Sequence, residues 1–205
     1  MFTDLSRQSL AGLRLLLVMT VLTGVLYPVA EGLSGGPDGG RVQDAGQAFG
    51  DRADGSPVRV DGEVVGSRLL GQQFEGDEWF LSRPSANDYD SLASAPSNLG
   101  PLDPDLVASI GDRRAEVAAR EGIDESQVPP DAVTASASGL DPHVSVAYAE
   151  LQAPRVAEAN GLSLDEVEDL IEDHTAGRGL GFLGEPGVNV LELNVAIVAA
   201  TSGGD

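Results

Sequence analysis

The sequence predicts a small mixed α/β (α+β) extracytoplasmic domain attached to a single N-terminal transmembrane helix. Three observations predict it. Residues 10–30 form an apolar run with one charge, Arg14. Helix start and stop signals recur after residue 103, and short apolar runs broken by glycine occupy 63–81.

Taken in order, residues 1–9 form a short polar N-terminus and the 21 residues 10–30 follow. At 1.5 Å per residue this run spans about 31 Å, the thickness of a bilayer's hydrocarbon core. Arg14 lies near enough to one end to snorkel toward headgroups, and Tyr27 sits near the other end, where an interfacial aromatic is expected. A cleaved signal peptide is the competing reading. The run from 15 to 30 is long for a signal core, and Pro28 stands where cleavage wants a small residue, so a retained anchor is favoured. Arg7 and Arg14 flank one end and Glu31 and Asp38 the other. The positive-inside rule then expects a cytoplasmic N-terminus and an extracellular C-terminal domain, in a single-pass cell-membrane protein.

Residues 31–62 are acidic and rich in Gly, Asp and Pro, the composition of a flexible stalk, with the domain proper expected over 63–205. Within it, 63–81 reads as two strands or a strand and a turn, and 83–104 as a long irregular segment. Asp103-Pro104 caps a helix that stops at Gly122. A short second helix runs over 154–160, closed by Gly161. Ser163 with Glu166 makes a capping box for a third, whose buried stripe is Leu164, Val167, Leu170, Ile171 and His174, and which Gly177 stops. Asn189 with Glu192 repeats the box before an apolar tail to Ala200; that tail also alternates, leaving a strand as the alternative.

Composition excludes whole classes of chemistry. The 205 residues hold 12 Arg, no Lys and 33 acidic residues, a net charge of −21. Nucleic acid is not a natural partner for such a chain. Without Lys there is no Schiff base, no Walker A lysine and no lysine-containing phosphorylation loop of a P-type pump. Without Cys there is no disulfide, thiolate nucleophile or Cys-ligated zinc. The acidic excess reads as adaptation to high salt in a halophile, in preference to general solubility, because only screening relieves so much self-repulsion.

Several motifs invite chemistry that their context refuses. Gly179, Gly181 and Gly184 fit GxGxxG, but the run follows a helix rather than a strand and reads as a glycine-rich turn. Ser138, Asp141 and His143 suggest a nucleophile triad. They lack the elbow that exposes a nucleophile, and Asp141 and His143 are too close in sequence to orient one another reliably. His143 and His174 lie 31 residues apart, a spacing that matches no metal site. Thr134, Ser136 and Ser138 alternate, so an extended backbone would line their hydroxyls on one face. That face is either an edge strand whose hydroxyls bond neighbouring backbone or a polar surface presented to a partner.

Six blocks then carry a resemblance: GSRLLGQQF (66–74), WFLSRPSA (79–86), SNLGP (97–101), VPPDAVTASASGLDPHVS (128–145), AYAELQAPRVAEANGLS (147–163) and HTAGRGLGFLGEPGVNVLELN (174–194). In order and content they resemble the C subunit of the Kdp potassium-transporting P-type ATPase complex. The resemblance implies a non-catalytic accessory subunit that assembles with a channel-like potassium-binding subunit and a P-type ATPase subunit, its domain over the outer pore mouth. ATP and potassium then act at the level of the complex, and no cofactor or metal is expected on this chain. Candidate partner contacts are Arg83, Ser85, Asn98, Thr134, Ser136, Ser138, Asp141 and His143. The alternative is a membrane-anchored extracellular binding or envelope protein.

Overall fold

A computed structural model describes residues 2–27, 51 and 54–202, in two compact units, Met1–Gly55 and Ser56–Asp205.

The first unit is helix α1 (Phe2–Val21), continued by one π-helical turn, Leu22–Leu26. Within it Gln8–Leu26 is long and apolar enough to cross a membrane, and its residues are exposed. Thr20 and Thr23 donate their hydroxyls to the carbonyls of Leu16 and Met19, at 2.8 and 2.7 Å. Both polar groups are thus satisfied inside the helix, as hydrocarbon surroundings demand. Residues 28–30 of the expected span, and the stalk from 31 to 50, lie outside the described residues.

The second unit opens with a hairpin of β1 (Pro57–Val60) and β2 (Glu63–Ser67). This corrects the boundary at residue 62: β1 uses residues read as stalk. Asp61 and Gly62 both take positive φ, 51° and 85°, which is the two-residue turn an Asp-Gly pair makes between alternating valines. Composition alone read that pair as linker.

After an irregular stretch comes α2 (Pro104–Glu121), with Asp103 accepting from the Asp105 N–H and Gly122 closing it at φ 66°. These are the cap and stop expected. Next come a 3₁₀ turn (Glu125–Gln127), the short α3 (Pro130–Val133) and β3 (His143–Val144). The helix expected over 154–160 is instead the 15-residue α4 (Val146–Asn160), begun by Ser145, whose hydroxyl accepts from the Tyr148 N–H. Pro154 sits inside it. An interior proline costs about 3 kcal/mol, but α4 buries Tyr148, Ala149, Gln152, Ala153, Val156 and Ala157, and side-chain burial of that extent outweighs it.

Helix α5 (Leu164–Asp173) has the capping box of Ser163 and Glu166. Its stripe is narrower than expected: Val167 and Ile171 are buried, Leu170 packs partly, Leu164 is exposed, and His174 is the C-cap, its Nδ1 2.8 Å from the Leu170 carbonyl. Strands β4 (Thr175–Ala176) and β5 (Gly187–Asn189) join β3 in a three-stranded antiparallel sheet of order β3-β5-β4. The tail is helix α6 (Val190–Ser202), not a strand; it buries Leu193 and Ile197 in the core. Asn189 accepts from the Glu192 N–H as in a box, while the Glu192 carboxylate turns away to Arg68, 2.7 Å distant. Around α4 gather Phe80, Val133, Val167, Val188, Leu193 and Ile197, all nearly inaccessible to water.

Candidate functional site

The sequence candidates cluster where two irregular segments, 79–95 and 134–143, cross. The first has no strand partner, so its backbone polar groups need others. Two buried amides supply them. Asn194 accepts from the Phe80 N–H at 2.8 Å and donates to its carbonyl at 3.0 Å. Gln152 does the same for Leu81, at 2.7 and 3.3 Å. Arg155 donates to the carbonyls of Asp77 and Trp79, while its Nε donates to both carboxylate oxygens of Glu121 at 3.0 and 3.1 Å.

Held this way, Arg83 reaches the second segment. Its Nη1 lies 3.1 Å from Asp141 Oδ2 and its Nη2 donates to the Thr134 carbonyl at 3.4 Å. Its Nε is buried without a hydrogen-bond partner. Tyr89 donates its hydroxyl to the Arg83 carbonyl. Ser85 donates to the carbonyl of Gly139 at 2.8 Å, and the Ser136 N–H donates to the Pro84 carbonyl at 3.3 Å. Ser94 and Ala95 both donate to the Ser138 carbonyl. Gly71 closes the cluster: a Cβ there would sit 2.5 Å from the Asp141 carbonyl oxygen, so the close approach requires glycine.

Two expectations need correction. The hydroxyls of Thr134, Ser136 and Ser138 do not line one extended face. Thr134 ends α3 and bonds the Pro130 carbonyl; Ser136 is buried and accepts from the Asp141 N–H; Ser138 accepts from the Leu140 N–H. Turns, rather than an extended strand, let each hydroxyl find backbone, as Ser and Thr readily do. Asp141 and His143, expected to be too close in sequence to orient one another reliably, are nonetheless in contact: Asp141 Oδ1 accepts from the His143 N–H at 3.0 Å and lies 3.5 Å from its Nδ1. The intervening Pro142 leaves the aspartate free to bond two residues on. Asn98 stays apart, exposed, its amide donating to the Pro96 carbonyl. The glycine-rich run is a turn, with Gly179 and Leu183 exchanging backbone bonds at 2.8 Å.

Electrostatics follow the packing. The His143 hydrogen bonds, with Arg83 assisting against burial, hold the Asp141 carboxyl below its usual range. Burial raises Glu121 despite its bond to Arg155. Burial also raises the Tyr89 and Tyr148 hydroxyls. Among the described residues no three His, Asp or Glu side chains gather as a metal site.

Gln152, Arg155, Glu121 and Asn194 were missed by sequence reasoning. The available signal was polar residues at the buried positions of otherwise apolar helices, Gln152 four after Tyr148 and Asn194 between Leu193 and Ile197.

One apolar helix of spanning length, joined in one chain to a domain whose polar side chains mostly brace its own loops, is consistent with a membrane-anchored subunit. The sequence relatives agree. The family model KdpC, described as K+-transporting ATPase, c chain, matches residues 9–199. The chain is 52% identical over 200 residues to the potassium-transporting ATPase KdpC subunit of Kineococcus radiotolerans, covering 97% of this chain and 96% of that one. It is 48% identical over 195 residues to that of Mycobacterium tuberculosis, covering 93% and 97%. With that of Streptomyces avermitilis it shares 43% over 227 residues, covering 98% of each. The chain belongs to the KdpC family of potassium-transporting ATPase subunits. The relatives lend no support to an anchored envelope binding protein.

Proposed function

We propose that this chain is a non-catalytic accessory subunit of an ATP-driven, high-affinity potassium uptake complex. It stabilises the assembly of a channel-like subunit and a P-type ATPase subunit, and its extracytoplasmic domain covers the outer pore mouth. The observation that carries this reading is the family match, which runs from the anchor helix through the domain to residue 199. The chemistry of the chain supports it: a protein without lysine has no amine for a phosphorylation loop, and ATP hydrolysis falls to another subunit. After Ala30 the chain carries 10 Arg and 32 acidic residues, a field that concentrates cations near the entrance at low ionic strength. At high ionic strength screening removes that attraction, and assembly is the larger contribution.

Affinity purification of the full chain from membranes should bring down a P-type ATPase and a multi-span subunit. Deleting the chain should abolish growth on micromolar potassium and spare growth at millimolar levels. Protease added outside intact cells should digest the domain. Intact high-affinity uptake and assembly after deletion would end the reading, and digestion only in inverted vesicles would reverse the orientation.

A further inference from the structure

From Ser56 onward the chain carries eight arginines against 27 acidic side chains, a net of −19. Three of those eight border one cleft of about 620 Å³. Arg113, Glu116 and Arg120 form one wall, spaced three and four residues apart and therefore on one face of α2. Arg83 and Tyr89 form the facing wall, and the buried Val117 and Tyr148 the floor. The acidic side chains lining it are Glu75, Asp88 and Glu116, equal in number to the arginines; Arg83 is already paired with Asp141, whereas the domain as a whole is strongly negative. An anion meets less repulsion here than a surface of the domain's average charge would offer.

The arginines keep donors in reserve. Arg113 gives only Nη1 to a protein acceptor, the Val133 carbonyl at 3.2 Å. Arg120 holds Glu116 at 3.6 Å in an exposed pair of little intrinsic strength, which a better placed carboxylate displaces. Arg83 leaves its Nε unpartnered. Beside them Asp88 and Tyr89 hold two consecutive left-handed conformations, φ 53° and 57°, which side-chain-bearing residues adopt at a cost of about 1–3 kcal/mol where the surroundings enforce it. The trough is long: the seven helical steps from Arg113 to Arg120 cover about 10 Å of helix, more than one small anion occupies and about three residues of extended peptide.

We propose that the cleft between α2 and the 83–89 loop docks an acidic peptide segment of a partner subunit, its carboxylates held by Arg113 and Arg120. This rests on the assembly reading above. The test uses the full chain, tagged and expressed with the other subunits of its pump. R113E/R120E should lower recovery of the partners at least tenfold, whereas R59E/R178E, an equal charge change elsewhere, should lower it less than twofold. R113K/R120K should retain most of it. A benzophenone amino acid in place of Glu116 tests the wild-type arginines directly, and should cross-link a partner peptide containing Asp or Glu. Three outcomes overturn the cleft while assembly stands: equal recovery from both charge-reversed variants, cross-links only to lipid or to a peptide without acids, or loss of the cross-link in millimolar inorganic phosphate, which reassigns the site to a free anion. Absence of partners with the wild-type chain overturns the assembly reading and this proposal together.

Discussion

Asn194 and Phe80 are joined as two paired strand residues would be: one side-chain amide accepts from the Phe80 N–H and donates to the Phe80 carbonyl, 114 positions away. Gln152 repeats the arrangement one residue on, at Leu81. Two helices thus use amides in place of a neighbouring strand, and the segment that leads to Arg83 is fixed in the core without belonging to a sheet.

Asn194→Leu should therefore be costly beyond its loss of polarity. It leaves the N–H and carbonyl of a fully buried residue without partners, each worth about 1–3 kcal/mol. The expected loss is about 2–5 kcal/mol, read from urea unfolding of the full chain in detergent at pH 7. Asn194→Asp keeps the acceptor but sets an uncompensated buried carboxylate against the Phe80 carbonyl, and should cost at least as much at pH 7.

The Glu121–Arg155 pair predicts unequal effects of its two halves. The Glu121 and Arg155 side chains retain only 2% and 10% of their exposure. Arg155→Met leaves a buried carboxylate alone, at a cost of roughly 3–5 kcal/mol. Glu121→Gln should cost far less, because burial already raises the Glu121 pKa and the site tolerates a neutral group. The sign follows from that raised value. Glu121 contributes most below its ordinary 4.5 and less as pH rises through its higher folded value, so E121Q should weaken the protein least at neutral pH. Unfolding free energies at pH 4 and pH 8 for both variants check this.

Asp141 predicts the opposite pH dependence. Its pKa is lowered, chiefly by the His143 hydrogen bonds, so its contribution is complete above its ordinary 3.8 and disappears as pH falls through the lower folded value. Asp141→Asn should cost about 1 kcal/mol at pH 7, a modest figure because Asp141 and Arg83 remain partly exposed. The difference from wild type should vanish in acid below that folded value. A cost that stays unchanged as acid protonates the folded carboxyl would mean that the carboxylate's charge contributes nothing there.

These networks also mark where sequence reading stops. Helices α2 and α5 were legible because Asp103, Gly122, Ser163 and Glu166 act within a few residues of themselves. The start of α4 was not, because Pro154 suggested a first turn and only tertiary burial carries a helix through it. At the candidate site, Arg83, Ser85 and Asp141 were singled out by resemblance, and their proximity follows from partners more than 50 positions away. No local pattern encodes that crossing. The use of the Thr134, Ser136 and Ser138 hydroxyls was misjudged for the same reason, since alternation describes a strand and this backbone turns at Gly139 with φ 70°.

Salt dependence should be concentrated in α5. Six of its ten residues are acidic, namely Asp165, Glu166, Glu168, Asp169, Glu172 and Asp173, and all six are exposed. The first two face the positive end of the helix dipole and help it; Glu172 and Asp173 face the negative end and oppose it. Only Val167 and Ile171 are buried along the helix, so little apolar area compensates. Screening is what remains: the Debye length is about 3 Å at 1 M salt and about 10 Å at 0.1 M, long enough at the lower value for neighbouring carboxylates to repel across a turn. Dialysis of the full chain from 1 M to 0.1 M salt should accelerate amide hydrogen exchange in α5 more than in α2 or α4. Glu172→Lys with Asp173→Lys reverses the sign at that helix end and should restore about 1 kcal/mol at 0.1 M. The gain should shrink in 1 M salt. Equal exchange in α5 at both concentrations would remove the case that its acidic surface is matched to a salty environment.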